Sequence, residues 1–207
     1  YNWFQGQSTS LIELNVDLPR RADQLIQLMT HEGYPGHHTE LTMRERLLYH
    51  EKNYLEYSIY PLYSPMSVIS EGYADLGAEF LFTDDEIVNF MRDKVLPELG
   101  ADPFDFDTWL KIKTALVDLK SVAGNAAILL LEENRPEEEV IEYIKKYALF
   151  DEEYARKRVD FIKTYRGYIF NYHYGYELLK QYFEDKNPRS EILGFLSEPA
   201  YPSKFSK

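Results

Sequence analysis

The sequence predicts a mainly α fold, an irregular helical bundle of about seven or eight helices with a short N-terminal strand or arm. Apolar residues recur at helical spacing in almost every segment after Asp17, whereas two-residue alternation is confined to the stretch from Ser8 to Val16. Helix start signals also punctuate the chain at Asp17-Pro19, Thr83-Asp84-Asp85-Glu86 and Asn134-Arg135-Pro136.

Taken in order, STSLIELNV from Ser8 to Val16 reads as one strand or extended arm. After Asp17 and Pro19, the positions Ala22, Leu25, Leu28 and Met29 form one stripe of a first helix that runs up to His31. A second helix is expected from Thr39 to Tyr57, stopping at the loop of Pro61 and Pro65, and a third from Ser67 to Phe82. Thr83 and Glu86 have capping-box spacing ahead of Ile87, Val88, Phe90 and Met91, and that helix ends near Pro97 or Gly100. Phe104 to Glu133 makes one long helix or two. Pro136 followed by Glu137, Glu138 and Glu139 opens another, because acids in the first turn complement the helix dipole. A further helix starts after Asp151, Tyr165 to Phe183 is dense in tyrosine, and 186–207 reads as a loose tail.

A length of 207 residues suits one sizeable core, so a single domain, 1–207, is expected. The formal charge of −12 argues against nucleic acid as a partner, since phosphate binding needs clusters of Lys and Arg. Acidic membrane surfaces are disfavoured for the same reason. With no cysteine, any metal must sit on His, Asp or Glu. The apolar run Ala126 to Leu131 is far below the ~20 residues of a membrane span, and a cytoplasmic location is expected.

Three of the five histidines fall within His31-Glu32-Gly33-Tyr34-Pro35-Gly36-His37-His38. Zinc is commonly held by two histidines at i and i+4 on one helical face, with one position left open for chemistry. Here the i+4 position is Pro35, which cannot donate to the His31 carbonyl and crowds it, so the helix must bulge or break. In an undistorted helix His38 shares the face of His31 but lies ~10 Å along the axis, and His37 points elsewhere. With Pro35-Gly36 read as an insertion, His37 is brought to the second ligand position, His38 being the alternative. Glu32 continues the stripe of Leu25, Leu28 and Met29, which is expected to be buried. A carboxylate there, beside a cation, suits a general base for the attacking water.

The segment Ser70-Glu71-Gly72-Tyr73-Ala74-Asp75-Leu76-Gly77-Ala78-Glu79 carries an apolar stripe and an acidic one. Small residues flank Glu71, so another element can approach that face closely. Glu71 is therefore expected as the third metal ligand, with Asp75 orienting a ligating imidazole. Glu79 is expected to do the same or to bind a substrate amino group.

Together these motifs resemble the gluzincin metallopeptidases, and specifically the metallopeptidase-like group called domain of unknown function 885. The resemblance rests on His31-Glu32-x-x-Pro35-Gly36-His37-His38, then Ser70-Glu71-Gly72-Tyr73-Ala74 and Glu79. A softer match is Gly167, Tyr172 and Gly175, preceded by Arg166 where that group usually has proline. The resemblance implies a zinc-dependent peptidase acting on peptide substrates, with Tyr172 stabilising the oxyanion, and a catalytic part belonging to a longer chain. Arg166 is a candidate for reading a substrate carboxylate. The strand near Leu11 to Val16 is a candidate for pairing with substrate backbone. Two other readings use the same ligands: a helical domain that holds metal without catalysis, and a metal hydrolase acting on non-peptide amides or esters.

Overall fold

The computed structural model describes residues 1–16, 21–102 and 104–205, and is mainly α with one two-stranded sheet among the described residues. The start signal at Asp17 and Pro19 lies outside the described residues. Strand β1 (Asn2–Gly6) pairs antiparallel with β2 (Thr9–Ile12), with Trp3 opposite Leu11 and Phe4 opposite Ser10. The extended segment expected from Ser8 to Val16 is thus one arm of a hairpin, shorter than expected. Its turn residues Gln7 and Ser8 both have left-handed φ, 52° and 57°. Such turns normally take Asn-Gly, so the sequence carries no turn signal there and β1 goes unread.

By contact pattern the chain forms two compact units: Tyr1–Phe104 with Gly175–Lys207, and Asp105–Tyr174. The first unit holds α1 (Gln24–Glu32), α2 (His37–Arg44), α3 (Pro65–Asp75), α4 (Gly77–Leu81) and α5 (Asp84–Phe90). After α2 the chain continues as π-helical turns, Glu45–Glu51, where Lys52 N donates to Leu47 O at 3.1 Å. The helix expected from Ser67 to Phe82 is interrupted at Leu76, between α3 and α4. The capping box at Thr83 is formed in both directions and fixes the start of α5. That helix passes through π-helical Met91–Val95 into α6 (Leu96–Glu98) and stops at Gly100, whose φ is +60°.

In the second unit, α7 (Phe106–Asp118) and α8 (Ser121–Leu131) resolve the expected long segment into two helices. The stretch Phe106–Leu131 has a mean hydropathy of 1.5 and is, by length and composition, long enough to cross a membrane. Runs of strictly apolar residues hide this, because polar residues are spread through it. Helices α9 (Glu137–Ala148) and α10 (Glu152–Tyr165) start where the acidic turns and Asp151 place them. Val140, Ile141, Ile144, Val159 and Ile162 pack with Ala126, Ala127 and Ile169 as that unit's core.

Helix α11 covers Phe170–Phe183, and α12 (Pro188–Leu196) replaces the loose tail expected over 186–207. Asn187 caps α12 by accepting from Arg189 N, and Phe195, Leu196 and Phe205 are buried. In the first unit Tyr73 stacks on Phe195 at 5.5 Å between centroids, and Phe80 meets Phe183 at 4.9 Å. Aromatic burial on this scale holds the C-terminal segment down. Gly72 of α3 meets Gly175 of α11 so closely that a Cβ on Gly72 would lie 2.1 Å from the Gly175 carbonyl. This is the close approach expected beside Glu71, and only paired glycines permit it.

Candidate metal centre

Helix α1 ends one residue past His31. Gly33 N donates to Met29 O, and Gly36 N then donates to Thr30 O, both at 2.9 Å, so the chain doubles back on the last turn of α1. Of the two outcomes expected at Pro35, bulge or break, the helix breaks, and α2 starts afresh at His37. The Tyr34–Pro35 peptide is cis. A Cβ on Gly36 would sit 1.9 Å from the His31 carbonyl oxygen, so any larger residue would push the turn away from α1. The tight return sets the two imidazoles edge to face, with ring centroids 4.7 Å apart.

Glu71, buried on α3, reaches both rings. His31 Nε2 lies 3.5 Å from one carboxylate oxygen and His37 Nε2 lies 3.5 Å from the other. One ligand atom from each of His31, His37 and Glu71 falls within 4.8 Å of the other two. The far nitrogen of each ring is held from behind. His31 Nδ1 is 3.0 Å from Asp75 Oδ1, the contact expected of that acid. His37 Nδ1 is 3.2 Å from Ser70 Oγ, which donates to Glu40, and Glu40 accepts from Arg44 Nε at 2.9 Å. With Ser70 donating to Glu40, its oxygen accepts from His37 Nδ1–H, so that with a cation in place of a proton the ring would offer its Nε2 lone pair to an ion shared with Glu71.

The electrostatics favour a cation here. Burial disfavours the charged form of His37, but Glu71 and Glu40 outweigh it and raise its pKa to about 10. His31 is likewise raised, burial being overcome by Asp75 and Glu71. Glu71 is held well below the usual carboxylate range, its burial outweighed by the two imidazoles. Two nitrogens and one carboxylate suit zinc with a further position open. The donor set therefore fits the ion expected from the sequence.

The remaining expected site residues are distributed as follows. His38 is turned away from the triad: its Nδ1 is 2.9 Å from Ser10 Oγ and its Nε2 3.1 Å from Tyr34 OH. Glu32 closes α1 with its side chain only 13% exposed, and its carbonyl accepts from Asn2 Nδ2 at 2.6 Å. Glu79 meets no imidazole among the described contacts; its carboxylate accepts from Tyr176 OH at 2.8 Å. Tyr172 and Arg166 belong to the second unit, where the Tyr172 ring packs edge-on against Tyr168 at 5.7 Å. Arg166 is exposed, at the end of α10, with φ 49°.

The stripe of α1 expected to be buried is covered only in part, with Leu28 and Glu32 half-buried. Leu25 and Met29 are exposed, and Thr30 is the helix's buried residue. Helical period tells which residues share a face, not what covers it.

The sequence reading misses Glu40, Ser70 and Arg44. Glu40 and Arg44 are spaced as a helical i,i+4 ion pair, which is ordinarily a surface feature, and nothing local marks this one as buried. Ser70→Ala is expected to weaken zinc binding about 10–100-fold, the usual cost of losing a partner behind a ligand. Chelator competition measures this, and unchanged affinity would mean that Ser70 does not orient His37.

Comparison of the chain with family models, with curated proteins and with solved structures returns no match.

Proposed function

We propose that this chain is a zinc-dependent peptidase whose catalytic centre is held by His31, His37 and Glu71, as its resemblance to the gluzincin-like group implies. The observation that carries the reading is the convergence of two Nε2 atoms on one buried carboxylate, with Asp75 and Ser70 at the opposite ring nitrogens. Asp75 and the chain Ser70, Glu40, Arg44 hold the rings in the tautomer that frees Nε2. Zinc, when bound, supplies Lewis acidity and lowers the pKa of water.

The chain's own chemistry is the proton traffic. Glu32, beside His31 at the end of α1 and largely shielded from solvent, takes one proton from the attacking water as its oxygen bonds to the peptide carbonyl carbon. It then delivers that proton to the leaving nitrogen as the carbon–nitrogen bond breaks. Strand β2 pairs only with β1 among the described residues, so its other edge supports the backbone-pairing role read from the sequence.

The test is a panel of peptides and small amides or esters incubated with the zinc-loaded chain, with and without chelator. Chelator-sensitive cleavage of peptides is expected. Cleavage confined to the non-peptide compounds would favour the alternative hydrolase, and zinc binding without any turnover would favour a metal-holding domain.

A further inference from the structure

We infer that the groove between β2 and α1 is a side-chain subsite that selects a large apolar residue next to the scissile bond, an inference that rests on the peptidase reading above. The groove measures about 670 Å³, within the range of small-molecule sites. Ile12, Leu25, Met29, Phe82 and Phe90 line it, and each is more than a third exposed. Contiguous exposed apolar surface of this kind marks a binding surface rather than ordinary exterior. In a chain that is 28% charged, none of the described side chains lining the groove is Asp, Glu, Lys or Arg. A charged substrate group would therefore enter without a partner, which is costly.

Continuity with the metal centre identifies the occupant. Met29, Thr30 and Gly33 line the groove, and the next residues along the same helix end are His31 and Glu32. At the polar wall, Ser10, His38 and Tyr34 form a chain of hydrogen bonds in which both His38 nitrogens are engaged. His38, the motif histidine left over by the metal centre, thus ties β2 to the Tyr34 turn and fixes the groove's width. A peptide laid along β2 would turn alternate side chains toward this wall, and an apolar one fits it.

The experiment uses the zinc-loaded chain and quenched fluorescent peptides that differ only in carrying Phe, Leu, Ala or Glu on either side of the scissile bond. At one flanking position kcat/KM for Phe or Leu is expected to exceed that for Ala by about 10–100-fold. In Met29→Glu, and independently in Leu25→Glu, that ratio falls toward one while zinc content stays unchanged. A flat profile with peptide cleavage intact overturns the subsite and leaves the peptidase reading standing. If no peptide is cleaved, the peptidase reading fails instead, and calorimetry with the Phe and Ala peptides decides the groove. Preference for the Phe peptide that disappears in Met29→Glu supports it, and equal or absent binding overturns it.

Discussion

Glu32→Gln is expected to lower peptide turnover by about 10²–10⁴-fold while leaving zinc content unchanged, because it removes a proton acceptor without touching a ligand. The amide keeps the shape of the carboxylate, so the end of α1 and its bond to Asn2, which uses the main-chain carbonyl, stay as they are. Turnover is read from kcat/KM and zinc from emission spectroscopy on the same preparation. Full turnover in the variant would remove Glu32 from the chemistry. Parallel loss of zinc would make it a structural support of the site.

His37→Ala and His38→Ala are expected to behave in opposite ways toward metal. His37 faces Glu71 and is backed by Ser70, whereas His38 spends both nitrogens on hydroxyl groups. Removing His37 takes away one of the three converging donors, and zinc affinity should fall by more than the ~10–100-fold typical of a supporting partner. Removing His38 should leave zinc affinity nearly unchanged. Competition against a chromophoric chelator compares the two, and a reversed order would exchange their roles.

Much of the candidate centre's geometry is legible in the sequence because it is local. His31 and His37 lie on either side of one Pro-Gly turn, and the chemistry of proline dictates that the helix cannot run on. Glu71 is legible from its small neighbours, and the Gly72 contact with Gly175 is the physical content of that hint. The choice between His37 and His38 is not legible, because it depends on how tightly Gly36 folds back on the His31 carbonyl. Nor is the Ser70, Glu40, Arg44 chain, whose members meet across α2 and α3 and are buried by tertiary packing alone.

The same distinction runs through the fold. Capping chemistry at Thr83 and Asp151 fixes helix starts within a residue, since the cap is a contact between near neighbours. The face that α1 buries is set by other elements, so Leu25 and Met29, read as core, line an open groove instead. Likewise the C-terminal segment looks polar, yet Phe195, Leu196 and Phe205 anchor it among rings that arrive from distant positions.

The central claim is that His31, His37 and Glu71 bind one zinc ion, and metal analysis tests it most directly. The purified chain, loaded with zinc and freed of excess, is expected to carry close to one ion, and His31→Ala close to none. A wild-type chain without zinc, or a His31→Ala variant that keeps the full complement, would contradict the account.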